Sequence, residues 1–303
     1  MNKSLPQVFC RLKKTILVKA YAKVNLFLAV LNKRKDSYHN LNTIFSRIDL
    51  ADIITLKLIP DNEIKVVCAH QSVPEDESNL CFKAAKLLQQ KCKCNCGVEI
   101  KIDKQIPVGA GLGGGSSDAA ATLIGLNKLW KCNFSQKQLV NLAGKIGSDV
   151  AFFIYDLPFA QGLSRGEKVC KLPQLDKLRL CYILVVPKIH VSTPLIYRKF
   201  DEFLGLTKPG DNVKILNLAL RKESNFDIKS FLFNSLEEVT TRIYPEVKLV
   251  KEKLADFGLK LILMSGSGPA VFGVVSSRKE AVALGKKLKK QRMPWQIFAT
   301  RTI

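Results

Sequence analysis

No stretch of this sequence is apolar for long enough to cross a membrane. The longest apolar runs, at residues 180–187 and 259–264, are far shorter than the roughly 18 residues that a membrane-spanning helix needs. The first residues also lack a continuous apolar segment, because Lys3, Arg11 and Lys13 interrupt them, so the chain does not begin like a secretory signal. We therefore predict a globular protein that does not enter a membrane and that works in the cytoplasm.

Acidic residues are scarce relative to basic ones. The chain has 26 Asp and Glu against 48 Lys and Arg, which leaves a formal net charge of +22. Such an excess attracts anions, so a phosphate-rich partner is expected, and charge alone leaves open whether it is a nucleotide or a nucleic acid. The basic run at 285–292 has no aromatic residues for stacking on bases. We predict a solvated helix face there and no nucleic-acid partner.

Cysteines at the usual metal-binding spacing are lacking as well. The nine cysteines are an odd number and are scattered, which argues against a disulfide framework and favours free thiols. Cys92, Cys94 and Cys96 have C-x-C-x-C spacing rather than the C-x-x-C pairs of zinc sites, and only three histidines could complete a shell. We predict free thiols and no metal site formed by side chains.

Hydrophobic periodicity divides the chain into strands and helices. Residues 15–31 alternate, which places Lys23 and Asn25 on the same face of a strand, and residues 98–102 alternate in the same way. The other predicted strands are 53–59, 178–187, 260–264 and 270–275, and the predicted helices are 77–90, 119–129, 135–144 and 245–257. Composition changes between residues 165 and 178, where we expect a domain boundary.

A glycine-serine loop lies between the strand at 98–102 and the helix at 119–129. It consists of Pro107, Val108, Gly109, Ala110, Gly111, Leu112, Gly113, Gly114, Gly115, Ser116 and Ser117. Its five glycines let the backbone adopt positive φ and bring successive N–H groups close to a ligand. The helix that follows, with Ser116 and Ser117 as its expected N-caps, adds the partial positive charge of its N-terminus. We predict that this loop binds phosphate.

Three other interpretations of the loop fit less well. A plain turn between a strand and a helix needs one or two glycines rather than five. A Walker P-loop needs a lysine where Gly115 stands. The glycine spacing does fit the dinucleotide pattern G-x-G-x-x-G. However, the preceding strand alternates, and no Asp or Glu that could bind a ribose stands between Asp118 and Asp149.

The motifs taken together resemble those of a known family. Residues 107–117 are similar to the second motif of the GHMP kinase superfamily, P-x-x-x-G-L-G followed by serines, and residues 264–270 are similar to the third. Residues 22–28 and 36–39 resemble the branch whose acceptor carries a cytidine diphosphate group. The resemblance covers most of the chain.

This resemblance implies an α+β chain with the two-domain GHMP kinase fold, in which mixed and antiparallel sheets carry helices packed on them. An N-terminal domain at 1–170 would hold the ATP loop and Lys23, a C-terminal domain would span 171–303, and the active site would lie in the cleft between them. ATP is the implied co-substrate, with Mg²⁺, and the acceptor is a small molecule with a cytidine diphosphate group. We expect a monomer or a homodimer.

The resemblance also implies the catalytic residues. Asp149 matches the family's catalytic aspartate, which accepts the hydroxyl proton; from its position alone, it could equally be a helix-start residue. Lys23 matches the active-site lysine, which keeps that carboxylate ionised and steadies charge on the moving phosphoryl group. A lone lysine on a half-exposed strand is otherwise usually solvated. Asn25, on the same strand face, is a candidate to hydrogen-bond the substrate.

The acceptor site is implied by two further segments. Tyr38 and His39 resemble the family's cytidine site, where one ring stacks on the base and the next residue supplies hydrogen bonds. Tyr197 aligns with the aromatic residue on the other side of the base, and Thr193 with a residue that lines the pocket. Without the resemblance, Tyr197 would be interpreted as a core or surface aromatic.

Three positions depart from the family pattern. Ser37 stands where glycine is usual, and residues 234–237 are Asn-Ser-Leu-Glu rather than N-D-x-E. Ala110 replaces a glycine of the phosphate loop, and it fits only if its φ is negative. None of these changes removes a group that the chemistry needs.

Two alternatives to this function stay open. One is a GHMP kinase that phosphorylates another small alcohol, and the other is a basic RNA-binding protein. Tyr38 and His39, together with Lys23 and Asn25, favour the cytidine-bearing substrate over the first alternative. The missing aromatic residues in the basic run argue against the second.

Overall fold

A computed structural model describes residues 15–204, 228 and 232–303. These residues form two compact units, each built from segments that are not contiguous in the sequence. The described part of the first unit comprises residues 15–20, 52–104 and 115–155, and the second unit comprises described residues within 21–51, 105–114 and 156–303. The domain boundary predicted near residue 170 lies inside the second unit, and it stays a prediction of where the family's two domains meet.

The first unit contains the strands that lead into the glycine-serine loop. Its elements include the end of β2 (His39–Ile59), β3 (Ile64–Cys68), β4 (Gly97–Asp103), α1 (Leu80–Cys92), α2 (Gly114–Leu129), α3 (Gln136–Ile146) and α4 (Val150–Ile154). β4 pairs parallel with β3 and antiparallel with β2. Val98, Ile100 and Ile102 are buried while Lys101 and Asp103 are exposed, so the predicted strand with one wet face is confirmed.

The second unit holds most of the remaining elements. They are β1 (Thr15–Lys33), which begins in the first unit, then β5 (Phe159–Ser164), β6 (Lys168–Lys171), β7 (Cys181–Pro187), α5 (Thr193–Leu204), β8 (Phe233–Asn234), α6 (Glu237–Ile243), α7 (Pro245–Asp256), β9 (Ile262–Met264), β10 (Val271–Val275), α8 (Arg278–Lys289) and β11 (Trp295–Arg301). β1 pairs parallel with β8, and β5 pairs antiparallel with β2 and β6. A second, antiparallel sheet has the order β11-β7-β10-β9.

Large apolar side chains hold the second unit together. Tyr182 on β7 is fully buried, with its ring edge-on to Phe272 at a centroid distance of 5.5 Å. Its hydroxyl lies 2.8 Å from Ser46 Oγ, and burial raises the pKa of Tyr182, so the phenol stays neutral. Each fully buried side chain of this size stabilises the fold by about 1.5–3 kcal/mol before entropic costs.

Helix starts differ in how well local sequence predicts them. Ser135 caps α3 and forms a reciprocal capping box with Gln138, as its position before the helix predicted. The N-cap role predicted for Ser116 and Ser117 is wrong, because α2 already begins at Gly114 and both serines stand inside it. The second strand is also longer than the predicted 53–59, because its first half pairs with β5, far away in the sequence.

The cysteine prediction holds only in part. Cys92 and Cys132 form a disulfide, with a Cα–Cα distance of 5.5 Å across a sequence separation of 40, so the prediction of free thiols is wrong for this pair. The end of α1 and the segment after α2 bring the two together, which spacing could not reveal. Cys94 and Cys96 are free, and burial raises the pKa of the Cys94 thiol to about 11.

Candidate active site

The glycine-serine loop has the backbone conformation that its composition predicted. Gly109, Gly111 and Gly113 have φ values of +67°, +75° and +70°, a region that glycine enters without strain. Ala110 does not adopt positive φ, so alanine fits at this position, as the sequence requires. Left-handed residues at every second position are typical of the backbone nests that bind anions in other proteins.

The third-motif segment, residues 264–270, holds the glycine-serine loop in place. Ser265 Oγ donates to Gly111 O at 2.9 Å, and Ala270 N donates to Ala110 O at 3.2 Å. The approach is so close that a Cβ added at Gly111 would lie 2.1 Å from Ser265 O. Gly111 is therefore required both for its positive φ and for the room it leaves to Ser265.

The helix that follows the loop presents its N-terminus directly after the glycines. α2 begins at Gly114, and the first N–H groups of a helix have no partner within it, so they suit an anion. In the first unit, Ser116 Oγ lies 3.9 Å from the position that a Cβ at Gly147 would take. The start of α2 is therefore close to the turn that leads to Asp149.

Lys23 is buried rather than solvated. Only 4% of it is exposed, and its Nζ donates to Asn25 Oδ1 at 2.6 Å and to Gly111 O at 2.9 Å. Its backbone N–H donates to Leu112 O at 3.0 Å. A buried ammonium is costly unless it is hydrogen-bonded, and these contacts join β1 to the glycine-serine loop, so the interpretation as a solvated surface lysine is wrong.

Asn25 is part of the same buried network. Its Oδ1 accepts from Lys23, and its Nδ2 donates to Thr43 Oγ1 at 2.8 Å. Thr43 Oγ1 in turn donates to Phe27 O at 2.6 Å. These bonds define which way the Asn25 amide faces, so Asn25 orients the Lys23 ammonium. Its contact with the substrate stays a prediction.

Asp149 lies in the first unit, immediately before α4. It has the N-cap position of that helix, but its side chain makes no capping hydrogen bond, which argues against the helix-start interpretation. Ser148 Oγ donates to Asp149 Oδ1 at 3.4 Å, and the residue is half-buried. Lys23 belongs to the second unit, so the pairing of Lys23 with Asp149 stays a prediction.

The predicted cytidine-site residues His39 and Tyr197 lie together in the second unit. Their rings are stacked at a centroid distance of 5.2 Å with an interplanar angle of 28°. Asp201 Oδ1 is 2.7 Å from His39 Nε2, and its other oxygen accepts from Lys33 Nζ at 2.7 Å. Burial alone would raise the pKa of Asp201, but the hydrogen bonds from Lys33 and His39 lower it below its usual value. A charged carboxylate therefore fixes the buried His39 ring.

Tyr38 is separate from this stack. It is 58% exposed, and the guanidinium carbon of Arg165 lies 5.0 Å from its ring centroid. Ser37 before it has a φ of +66°, a left-handed conformation that glycine adopts more easily. The substitution of glycine by serine therefore leaves the turn's left-handed conformation in place.

Thr193 connects the predicted cytidine-site residues to the third-motif segment. It begins α5, and its Oγ1 lies 2.7 Å from Ser267 Oγ. Tyr197 follows one turn later on the same helix. Within the second unit, hydrogen bonds thus lead from Thr193 through residues 265–267 to the glycine-serine loop and Lys23.

Two family models match the chain. The one described as "GHMP kinases N terminal domain" matches residues 79–156, and the one described as "GHMP kinases C terminal" matches residues 216–293. A 4-diphosphocytidyl-2-C-methyl-D-erythritol kinase of Bacillus subtilis (strain 168) is 44% identical over 95% of this chain and 97% of its own length. This chain is a GHMP kinase. It is therefore a small-molecule kinase with ATP as its co-substrate, and the predicted α+β fold is confirmed.

Other similar proteins agree with this assignment. A kinase of the same name from Geobacillus sp. (strain WCH70) is 44% identical, with 86% of this chain and 88% of that protein covered. The crystal structure of a 4-(cytidine 5'-diphospho)-2C-methyl-D-erythritol kinase has a TM-score of 0.74 at 31% identity, and it covers 95% of this GHMP kinase and 100% of that chain. A homoserine kinase from Cytophaga hutchinsonii has the same fold, with a TM-score of 0.74 at 20% identity over 100% of this chain and 97% of that one.

The structure of this GHMP kinase adds two residues that sequence motifs left without a role. Asn234 Nδ2 donates to Met264 O and to Gly266 O, each at 2.8 Å. Glu237 Oε2 accepts from Met264 N at 2.7 Å, and its other oxygen pairs with Lys251. These bonds hold the segment that carries Ser265. The departure from the family pattern at residues 234–237 points to this segment, but nothing in the sequence indicates which residues Asn234 and Glu237 contact.

Proposed function

We propose that this GHMP kinase transfers the γ-phosphoryl group of ATP to the 2-hydroxyl of 4-diphosphocytidyl-2-C-methyl-D-erythritol, a step in the non-mevalonate formation of isoprenoid precursors. The observation that carries the proposal is the buried Lys23 ammonium, which donates to Gly111 O at 2.9 Å and so joins a charged group to the glycine-serine loop. Relatives named for this substrate align with 86% and 95% of the chain, which supports the same acceptor.

The glycine-serine loop and the N-terminus of α2 hold the donor. Positive φ at Gly109, Gly111 and Gly113 supports an arrangement in which backbone N–H groups bind the phosphate oxygens of ATP. The Ser116 and Ser117 hydroxyls, at the start of α2, complete the proposed ATP site, which spans residues 107–117. Positioning by such fixed donors supplies much of the catalysis of phosphoryl transfer.

Asp149 and Lys23 carry the proposed chemical step. The 2-hydroxyl oxygen forms a bond to the γ-phosphorus while the bond from that phosphorus to the β–γ bridging oxygen breaks, and the hydroxyl proton passes to the Asp149 carboxylate. The Lys23 ammonium, oriented by Asn25, stabilises charge on the transferring oxygens. ADP is the second product.

Mg²⁺ belongs to the same proposal. In kinases this ion is bound through substrate phosphates, water and one or two carboxylates rather than by a protein cage. Among the residues that the structure describes, no group of three or more His, Cys, Asp or Glu could hold a metal ion. That pattern fits an ion that enters with ATP, and its charge would neutralise the phosphate oxygens during transfer.

The cytidine group of the acceptor is assigned to the second unit. The exposed Tyr38 ring offers a face on which a flat cytosine ring could stack. His39 and Tyr197, stacked on each other and fixed by Asp201, support a role in recognising the same base. Thr193, one turn before Tyr197, would line the pocket.

We predict that Asp201→Asn weakens acceptor binding without slowing the chemical step. The amide cannot reproduce the charged hydrogen bond that orients His39, so the KM for the cytidine-bearing acceptor should rise about tenfold while kcat changes little; a charged hydrogen bond contributes about 1.5–3 kcal/mol. The matched control is Lys33→Met, which removes the other, exposed partner of Asp201 and should leave KM nearly unchanged. An unchanged KM in Asp201→Asn would mean that His39 does not contact the acceptor.

The choice of acceptor can be tested directly. Release of ADP is measured by a coupled assay with ATP, Mg²⁺ and a panel of alcohols: the proposed acceptor, mevalonate, homoserine and galactose. We expect turnover only with the cytidine-bearing alcohol, because Tyr38 and His39 provide contacts that the other alcohols cannot use. Turnover of one of the others instead would support the alternative that this GHMP kinase acts on a different small alcohol.

We further propose a monomer or homodimer that works in the cytoplasm without a nucleic-acid partner. Lys286, Lys287 and Lys289 near the end of α8 are exposed, as a solvated helix face requires. An RNA-binding protein would instead bind oligonucleotides with an affinity that falls steeply as salt increases. Gel filtration and an RNA titration at two salt concentrations distinguish these outcomes.

A further inference from the structure

A buried ion cluster in the first unit lies outside the proposed catalytic residues. Lys104 Nζ donates to Asp118 Oδ2 at 2.9 Å and also to Asp52 Oδ2. The side chains of Lys104, Asp52 and Asp118 are 5%, 0% and 4% exposed. Breaking a pair at such depth is strongly unfavourable, because it leaves a charge without a partner in a medium of low polarity. The cluster is therefore rigid.

Two residues of the cluster, Lys104 and Asp118, flank the glycine-serine loop in the sequence. The chain leaves the first unit after Lys104 and re-enters it at Gly115, and the segment 105–114 between them belongs to the second unit. Lys104 directly follows β4, and Asp118 stands in the second turn of α2. The Lys104–Asp118 bond, made across 14 positions, thus joins the two ends of the glycine-serine loop.

Asp118 itself is held from two sides. Thr122 Oγ1 donates to the Asp118 backbone carbonyl at 2.8 Å, one turn along α2. Burial raises the pKa of the Asp118 carboxyl to about 7, while the charge of Lys104 opposes that rise. Asp118 Oδ1 has no hydrogen-bond partner. The Lys104 ammonium favours the ionised form of this carboxyl and fixes Asp118 Oδ2 through its hydrogen bond.

We propose that Lys104 and Asp118 are positioning residues. Their bond holds the two ends of the glycine-serine loop together and thereby sets the geometry in which the loop binds ATP. The inference rests on the proposed ATP site at residues 107–117. A loop of several glycines has many backbone conformations, and joining its ends removes a large share of them. The N–H groups are then arranged before the nucleotide arrives, which improves affinity.

Asp52 provides a matched comparison for Asp118. Both carboxylates are buried and both accept from Lys104, but Asp52 lies on β2, well before the segment that runs from Lys104 to Asp118. Removing either one leaves Lys104 paired with the other, so neither change creates an isolated buried charge. Only loss of Asp118 opens the base of the loop.

The experiment measures ATP binding by titration calorimetry with purified Asp118→Ala, Asp118→Asn and Asp52→Ala proteins, and circular dichroism establishes that each is folded at the chosen temperature. We expect the Kd for ATP to rise about tenfold in Asp118→Ala, to recover to within about threefold in Asp118→Asn, and to change less than about twofold in Asp52→Ala. The recovery is expected because the amide oxygen can still accept from Lys104.

Two results would overturn the proposal. One is an equal rise in Kd for Asp118→Ala and Asp52→Ala, and the other is no rise in either variant while both lower the melting temperature, since the cluster would then serve only to stabilise the fold. Direct binding needs no acceptor alcohol, so the result is independent of the proposed substrate. If the wild-type chain fails to bind ATP at all, the proposed ATP site is wrong and the inference is wrong with it.

Discussion

Replacing Asp149 by asparagine is expected to lower kcat by about 10²- to 10⁴-fold, the range that a positioned general base contributes. The amide has almost the same shape but cannot accept the hydroxyl proton. The KM for ATP should stay within about threefold, because in the proposed site the nucleotide is bound by backbone groups of residues 107–117 and not by this side chain. Steady-state kinetics in the ADP-release assay separate the two parameters.

A control next to Asp149 tests whether its charge or its surroundings matter. Ser148→Ala removes the hydroxyl that donates to Asp149 Oδ1 at 3.4 Å and keeps the carboxylate, so it should retain most of the activity. A fully active Asp149→Asn protein would show that the proton goes elsewhere. A loss of ATP binding in that variant, measured by calorimetry, would instead assign Asp149 a structural or donor-binding role.

Gly111→Ala is expected to abolish most activity for a different reason. The added methyl group would lie 2.1 Å from Ser265 O, at a residue whose φ is +75°. The added Cβ is fixed to the backbone at position 111, and Ser265 O is itself a backbone atom. Neither can rotate away, so the loop and the segment at 264–270 must move apart. Misplacing bound phosphates by about 1 Å can lower the rate a hundredfold, and we expect kcat/KM to fall by at least about that factor.

Gly109→Ala is the matched control for this prediction. Gly109 also has positive φ, at +67°, but a Cβ there would meet only the His190 ring at an ordinary distance of 3.5 Å. The variant suffers the backbone strain of about 1–2 kcal/mol without the collision, and its kcat/KM should fall about tenfold at most. Equal losses in the two variants would mean that positive φ alone, and not the contact with Ser265, explains the need for glycine.

Local elements of the fold were predictable where neighbouring residues decide them. The alternation of Val98, Ile100 and Ile102 predicted β4, and Ser135 predicted the start of α3 through its own capping bonds. Prediction failed at the start of α2, where serines with good capping chemistry stand inside the helix. The helix begins at Gly114, directly after the left-handed Gly113, so local preference at Ser116 and Ser117 did not decide the boundary.

The candidate site was predictable to a different degree at each residue. Alternation placed Lys23 and Asn25 on one face of a strand, and the resemblance to the GHMP kinase motifs assigned them to the same site as the glycine-serine loop. Pattern alone favoured a solvated Lys23, and the structure buries it because Gly111, 88 positions away, accepts its hydrogen bond. The sequence also could not identify Asp201 as the hydrogen-bond partner of His39, because the two residues are 162 positions apart.

The glycine-serine loop shows which of its properties the sequence determines and which depend on the tertiary structure. Its capacity for positive φ and its place between a strand and a helix follow from residue type and periodicity, which act over a few neighbouring positions. Its anchoring by Ser265, its contact with Lys23 and the closing of its ends by Lys104 and Asp118 depend on tertiary structure alone. Such contacts join residues that the chain separates, and only the packing of the folded chain brings them within hydrogen-bonding distance.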